Sequence, residues 1–179
     1  MSKVDRRILK SQKAIKNALL ELMSERGFDQ ITVQNIVDRA DISRKTFYLH
    51  YLDKFDLLDK LIEEHITELR EICDLANETK EVVSWFEYFE KNYLFFSMML
   101  VSKGAPFFRK RFLDFVIEDI KNGWDITTEG KNHGLSEDVL LQFFGAAYVQ
   151  VVEWWFTNEM PYPPQAMEKQ IEILLDRNL

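Results

Sequence analysis

Apolar residues along this chain recur in steps of three and four almost without interruption, and nowhere does a period of two persist beyond a few residues. A chain patterned this way can bury its apolar surface only as packed helices, so the expected fold class is all-α. Breakers are scarce, at 6 Gly and 4 Pro. With 46% hydrophobic and 30% charged residues, disorder, low complexity and collagen-like repeats are excluded. A length of 179 residues suits one domain plus a small module.

Ile15, Ala18, Leu19, Leu22 and Met23 form the stripe of a first helix, predicted to stop at Gly27 as its C′ residue. Thr32 is placed to cap a short second helix carrying Val33, Ile36, Val37 and Ala40, and Ser43 a third that ends near Tyr51. Asp53 then opens a longer fourth helix with Leu57, Leu58, Leu61, Ile62, Ile66, Leu69 and Ile72. Beyond Asn77 the chain turns acidic and aromatic: Val82, Phe86, Phe89, Tyr93, Phe96 and Leu100 precede Lys103-Gly104-Ala105-Pro106, and Leu113, Val116, Ile117, Ile120 and Trp124 follow it. Residues 122–134, with three glycines, read as a loop, and Ser136 before Glu137 and Asp138 as the next helix start.

That next helix has two apolar stripes, Leu140-Phe144-Ala147-Val151-Trp155 and Leu141-Gly145-Val149-Val152-Phe156. A helix apolar most of the way round must be covered most of the way round. Gly145-Ala146-Ala147 would admit a close neighbour, and Pro161, Pro163 and Pro164 separate this helix from a last one. The expected homodimer face is Leu141, Gly145, Val149, Val152 and Phe156 with Ile171, Leu174 and Leu175; a central helix of a monomeric bundle is the alternative.

The net charge of −7 hides an asymmetry, because residues 1–54 carry 11 Lys plus Arg against 7 Asp plus Glu, and residues 55–179 carry 12 against 23. A polyanion is attracted to the N-terminal end and repelled by the remainder. The longest greasy stretch, Val139 to Phe156, is broken by Gln142, Gln150 and Glu153, so no membrane span is expected. Neither a signal peptide nor a partner for the lone Cys73 is evident, and a cytoplasmic location is expected. His50, His65 and His133 lack metal-ligand spacing, and there is no phosphate loop or nucleophile elbow; no metal, cofactor or enzymatic activity is expected. Arg109-Lys110-Arg111 could hold an anion, or simply form a solvated helix face.

Residues 32–51 have the form of a helix-turn-helix. Turning Phe47 and Tyr51 inward, at i and i+4, rotates Lys45, Thr46, Tyr48 and Leu49 outward. Arg44 and Lys45 offer cations to phosphate or guanine, Thr46 and Leu49 can touch thymine methyls, and Tyr48 can reach a phosphate. Free N–H groups after Thr32, Ser43 and Asp53, the last beside Lys54, can hold phosphates as well.

Residues 8–62 as a whole resemble the DNA-binding domain of the tetracycline-repressor (TetR/AcrR) family, through Gly27-Phe28, Thr32-Val33-xx-Ile36, Ser43-xx-Thr46-Phe47-Tyr48-xx-Tyr51 and Lys54 with Leu57-Leu58. The resemblance implies that Thr32, Ser43, Arg44, Lys45, Tyr48, His50 and Lys54 contact DNA, mainly at phosphates, and that Phe47 and Tyr51 pack. Asp41 stands where the family usually has Gly in the turn, which implies a small stability cost. Further on, Phe86 to Leu100, Lys103-Gly104, Phe143-Phe144-Gly145 and Trp154-Trp155 look like the sub-group typified by the activator of dihydroxyacetone-kinase operons. Membership there puts the default role of ligand-released repressor in question.

The expected organisation is a reader, residues 1–54, and a dimerising and effector-sensing domain, residues 55–179, connected by the fourth helix at about 53–75. A homodimer would bind double-stranded DNA at a palindrome. Phe86, Phe89, Tyr93, Phe96, Met99, Phe112 and Trp124 are the candidate pocket for a small apolar or aromatic effector, with plain core packing as the alternative. The acidic, aromatic half could instead dock a protein co-regulator, which would make the chain an interaction module.

Overall fold

The computed structural model describes residues 3–79, 84–101, 106–124 and 126–178, and among them the regular structure is nine α-helices and two short 3₁₀ turns. Val82 and Lys103-Gly104-Ala105 lie outside the described residues. In α1 (Lys3–Glu25) the predicted stripe is buried, with Ile15 and Leu19 fully enclosed. Gly27, however, has φ −60° and ψ 145°, so it does not cap α1 in the left-handed region. The chain leaves α1 at Glu25 and is fixed instead by Phe28, whose ring is buried in the 3₁₀ turn that follows.

Helices α2 (Val33–Arg39) and α3 (Arg44–Tyr48) form a pair, and α2 also lies on α1. Arg39 ties the two by donating to both Glu25 oxygens, at 2.7 and 2.9 Å, and to Glu21 at 3.3 Å. Then α4 (Lys54–Thr79) runs from this trio into the second half of the molecule, starting where Asp53 Oδ1 accepts the Phe55 and Asp56 N–H groups. Ion pairs of Lys16 with Glu64, of Arg111 with Asp59 and Glu63, and of Arg70 with Glu118 clasp α4 to α1 and α7. Arg109 meanwhile pairs with Glu153. The Arg109-Lys110-Arg111 run thus spends its two arginines on carboxylates of the same chain.

The C-terminal half comprises α5 (Trp85–Lys91), α6 (Tyr93–Leu100), α7 (Pro106–Gly123), α8 (Glu137–Thr157) and α9 (Pro164–Asn178). Their core is aromatic: Phe89 sits 4.8 Å from Phe96 and 5.8 Å from Phe112, ring centroid to ring centroid, and Phe86 is 5.1 Å from Trp155. The predicted 122–134 loop contains a 3₁₀ turn at Gly130–Asn132, and Asn132 Nδ2 donates to Thr127 O and Asn178 O, tying it to the end of α9. Ser136 precedes α8 as its N-cap residue but makes no capping hydrogen bond through its side chain. At the other end, α8 stops before the prolines, where Glu159 and Met160 take φ of 57° and 54° and Met160 N–H reaches Trp155 O at 2.8 Å.

Helix α8 is long and apolar enough, by length and composition alone, to cross a membrane. Its composition has a visible reason in the bundle, since one side packs on α7 and α6. A Cβ on Gly145 would lie 2.6 Å from Ile117 Cγ1 and 3.3 Å from Leu113 Cδ1, so the glycine is what lets α7 and α8 approach. Gly145→Val gains only a few tenths of a kcal/mol in helix propensity and overpacks the contact, for a net loss of about 1–3 kcal/mol. Urea unfolding of the variant measures it, and an unshifted midpoint would mean that Ile117 withdraws freely.

Candidate nucleic-acid interface

The α2–α3 unit is built from two side-chain caps, one of them reciprocal, and a left-handed turn. The Thr32 hydroxyl accepts the Asn35 N–H at 3.2 Å while Asn35 Oδ1 accepts the Thr32 N–H at 3.0 Å, a capping box that fixes the entry to α2. Helix α2 ends at Ala40, and Asp41 takes φ 52°, the conformation anticipated for the residue that replaces glycine there. Ser43 then starts α3, its Oγ accepting the Thr46 N–H at 3.1 Å and lying 2.9 Å from Thr46 Oγ1. Helix α3 is formally shorter than predicted, but Tyr51 N–H still bonds to Phe47 O at 3.0 Å, so the helical rotation carries on to Tyr51.

That rotation sorts the side chains. Phe47 is fully buried and Tyr51 nearly so, their rings 5.6 Å apart, and burial pushes the Tyr51 phenol up to about 12, with Glu64 and Asp56 adding to the effect. On the opposite side Arg44 and Lys45 are exposed, as are Tyr48 at 49% and Leu49 at 72%. Arg44 donates to the Tyr48 hydroxyl at 3.2 Å and lies 5.8 Å over its ring, so these two act as one unit. The Lys45 side chain is exposed and makes no hydrogen bond or ion pair among the described residues, its carbonyl alone accepting the Leu49 N–H at 3.1 Å, which leaves the ammonium available. Thr46 is half-buried and already engaged by Ser43, and half-buried His50 gives its carbonyl to Lys60 at 3.2 Å.

Lys54 is more committed than its sequence position suggests. Its ammonium donates to Phe28 O at 3.0 Å and Asp29 O at 3.1 Å, and stands over the rings of Phe28 and Phe55 at 4.7 and 5.2 Å. Of its three N–H donors one stays free for a phosphate. Next to it, Leu52 at 81% and Phe55 at 57% are exposed apolar residues that the periodicity assigned to no role. Asp56 fixes this corner by accepting from Leu52 N–H and Lys60, bonds that hold its carboxyl below the usual range.

The predicted effector pocket is mostly core. Phe86, Phe89, Phe96 and Phe112 are fully buried and Met99 nearly so, each filled in by the others' rings, and Tyr93 is 42% exposed beside Phe156. Of the seven, Trp124 borders a cavity of about 240 Å³, whose remaining walls include Trp85, Asp119, Tyr148 and Glu168. Phenylalanine rings at helical spacing fill space with each other, and this is why the stripe closes rather than opens.

The predicted dimer stripe is likewise turned inward. Leu141, Gly145, Val149, Val152 and Phe156 are buried against their own chain, as are Ile171 and Leu175, and only Leu174 is exposed, at 53%. What α8 leaves uncovered is the neighbouring face: Val139 at 57%, Phe143 at 66% and Trp154 at 41%, with Ala146 and Ala147 also exposed. A shallow apolar groove of about 250 Å³ between α8 and α9 is lined by Phe143, Phe144, Ala147, Val151 and Leu174 among others. The glycine that suggested room for a second molecule is the seat of Ile117.

Residues 15–61 match the family model described as bacterial regulatory proteins, tetR family, and residues 76–177 match that of a transcriptional regulator C-terminal region. An HTH-type transcriptional regulator of Bacillus subtilis, YxbF, is 30% identical over 79 residues, 44% of this chain and 21% of the relative. The HTH-type dhaKLM operon transcriptional activator DhaS of Lactococcus lactis is 29% identical over 92 residues, 51% of this chain and 49% of the relative. These stretches span about half or less of the curated relatives. A solved TetR transcriptional regulator from Streptococcus agalactiae superposes with a TM-score of 0.68 at 25% identity, over 96% of both chains.

Proposed function

Since the chain belongs to the tetR family of bacterial regulatory proteins, we propose that it works in the cytoplasm as a homodimeric, sequence-specific DNA-binding regulator of transcription. Residues 1–54 read the operator and residues 55–179 dimerise and sense, with α4 as the connection. The observation that carries this reading is the sorting of α3: Arg44, Lys45, Tyr48 and Leu49 project to solvent from a turn anchored beneath by Phe47 and Tyr51. A short helix with that surface fits a major groove, and Thr32, Ser43, Thr46, His50 and Lys54 hold or flank its position on the phosphates.

Two such helices, related by a two-fold axis, would meet a palindrome at half-sites about 34–36 Å apart or a multiple of it. The dimer face is the outer side of α8 and α9, with Phe143, Ala147, Trp154 and Leu174 at its centre. Because α4 is clasped to both halves, an effector that binds one separation better than another shifts DNA affinity by linkage.

A salt titration on random duplex tests the reader: the log–log slope should be steep, while a docking module without a DNA role would bind hardly at all. Lys45→Ala should change the ranking of operator variants, costing about 1–3 kcal/mol at one base position. Lys54→Ala should weaken every sequence alike and lower the salt slope by about one. Should Lys45→Ala lose equally on all sites, its ammonium belongs to a phosphate instead.

A further inference from the structure

One buried hydroxyl stands out in the C-terminal half. Tyr148, on α8 and only 7% exposed, is among the residues that line the cavity of about 240 Å³, and its OH, enclosed beside that cavity, has no hydrogen-bond partner among the described residues. Buried polar atoms nearly always find a partner, so an orphaned phenol at a cavity wall marks a place where a partner is to be supplied. Four other helices complete the walls. Helix α4 brings Cys73, α5 brings Trp85, α7 and the residue after it bring Asp119 and Trp124, and α9 brings Glu168.

The polar lining has one sign. Asp119, Glu168 and, towards solvent, Glu172 face the cavity, and no Lys, Arg or His is among its lining residues. Part of this polarity is used internally: Asp119 lies beside the Cys73 thiol, and Glu168 Oε2 accepts the Ser84 hydroxyl at 2.9 Å and the Phe86 N–H at 3.4 Å. Burial nonetheless holds both carboxyls above their ordinary range, which means that the cavity as it stands undercompensates negative charge. A cation entering it would be attracted to both. Trp124 and Trp85, the latter with one face stacked on Phe115 at 5.1 Å, add two indoles to the lining, the aromatic group best suited to a cation.

We propose that this cavity binds a small organic cation, an alkyl- or arylalkyl-ammonium whose N–H groups are taken by Asp119, Glu168 and the Tyr148 hydroxyl and whose body lies against Trp85 and Trp124. The volume is slightly below the ~300–1,000 Å³ of drug-sized sites, which selects a compact ligand. The assignment rests on the reading of residues 55–179 as the sensing domain, and it replaces an apolar effector by a charged one. It also explains the placement of the site, since its walls join α4 to α9 and a ligand there bears on the connector and the dimer face together.

The test is calorimetric titration of the full chain with three probes of similar shape: phenethylammonium, neutral 2-phenylethanol and anionic phenylacetate. Phenethylammonium should bind at least about tenfold more tightly than the alcohol, and phenylacetate least. Asp119→Asn should erase most of that preference, and Tyr148→Phe, which removes an atom with no partner in the fold, should weaken the cation by about three- to tenfold. Equal affinity for the three probes, no binding of phenethylammonium at millimolar concentration, or cation binding untouched by both substitutions overturns the proposal; the wild-type comparison stands even if a variant fails to fold. Binding of the unliganded chain to random duplex, measured alongside, separates the two readings. A chain that holds DNA but shows no cation preference loses this site and keeps its reader, and one that takes the cation without holding DNA does the reverse.

Discussion

Replacing Phe143 and Leu174 together by Asp is expected to turn the proposed dimer into a monomer and to cut affinity for a palindromic duplex by about 10²–10⁴-fold. Both side chains are more than half exposed in the single chain, so neither substitution opens a cavity and the subunit should keep its stability within about 0.5 kcal/mol. In a symmetric dimer the same patch faces itself, so four carboxylates would be buried near the axis with nothing to pair them. That cost falls wholly on association. The loss on DNA follows because a monomer presents one recognition helix, and the second half-site no longer adds to the first. Sedimentation velocity reports the first effect and fluorescence anisotropy on operator and half-operator the second. A double variant that still sediments as a dimer would move the interface off α8 and α9.

That Leu141 is buried while Phe143 stays exposed could not have been read from the sequence. Adjacent stripes on an α-helix are equally apolar here, and periodicity reports that both must be covered without saying by what. Gly145 carried the decisive signal, close approach, but the approaching group is Ile117 of the same chain. The reader was far more legible, since its meaning is local: Thr32 and Ser43 cap the helices they precede, Asp41 takes the left-handed turn, and the i, i+4 pair Phe47 and Tyr51 points inward. Lys54 marks the boundary of that legibility, because its carbonyl acceptors on Phe28 and Asp29 lie a whole helix pair away in sequence. The cavity is the extreme case. Cys73, Trp85, Asp119, Tyr148 and Glu168 share no spacing, and only packing of five helices assembles them, whereas the phenylalanines that looked like a pocket fill each other's space.

A pH effect of comparable size comes from His65, in sequence just one of three histidines. On α4 its ring stacks on Phe95 at 3.8 Å, and Nδ1 lies 2.6 Å from the Tyr88 hydroxyl. Tyr88 donates its only proton to Glu68, at 2.7 Å, so the histidine must be the donor and carries its hydrogen on Nδ1. Burial lowers the imidazole to about 4 from 6.5, against the pull of Glu68 and Glu64 and with a small push from Lys16. Because the folded value is depressed, the unfolded chain binds the proton more readily; the neutral ring's contribution is intact above about 6.5 and is lost as pH falls towards 4. The full loss is about 3 kcal/mol. Asp119 and Glu168, raised by burial, work in the opposite direction on acidification, so the raw stability curve is a sum. Comparison with His65→Gln isolates the histidine, since the amide can still donate to Tyr88 and does not titrate. Urea unfolding at pH 7 and pH 4.5 should show wild type losing about 2–3 kcal/mol more than the variant between the two, and equal losses would mean that the ring is protonated in the fold without penalty.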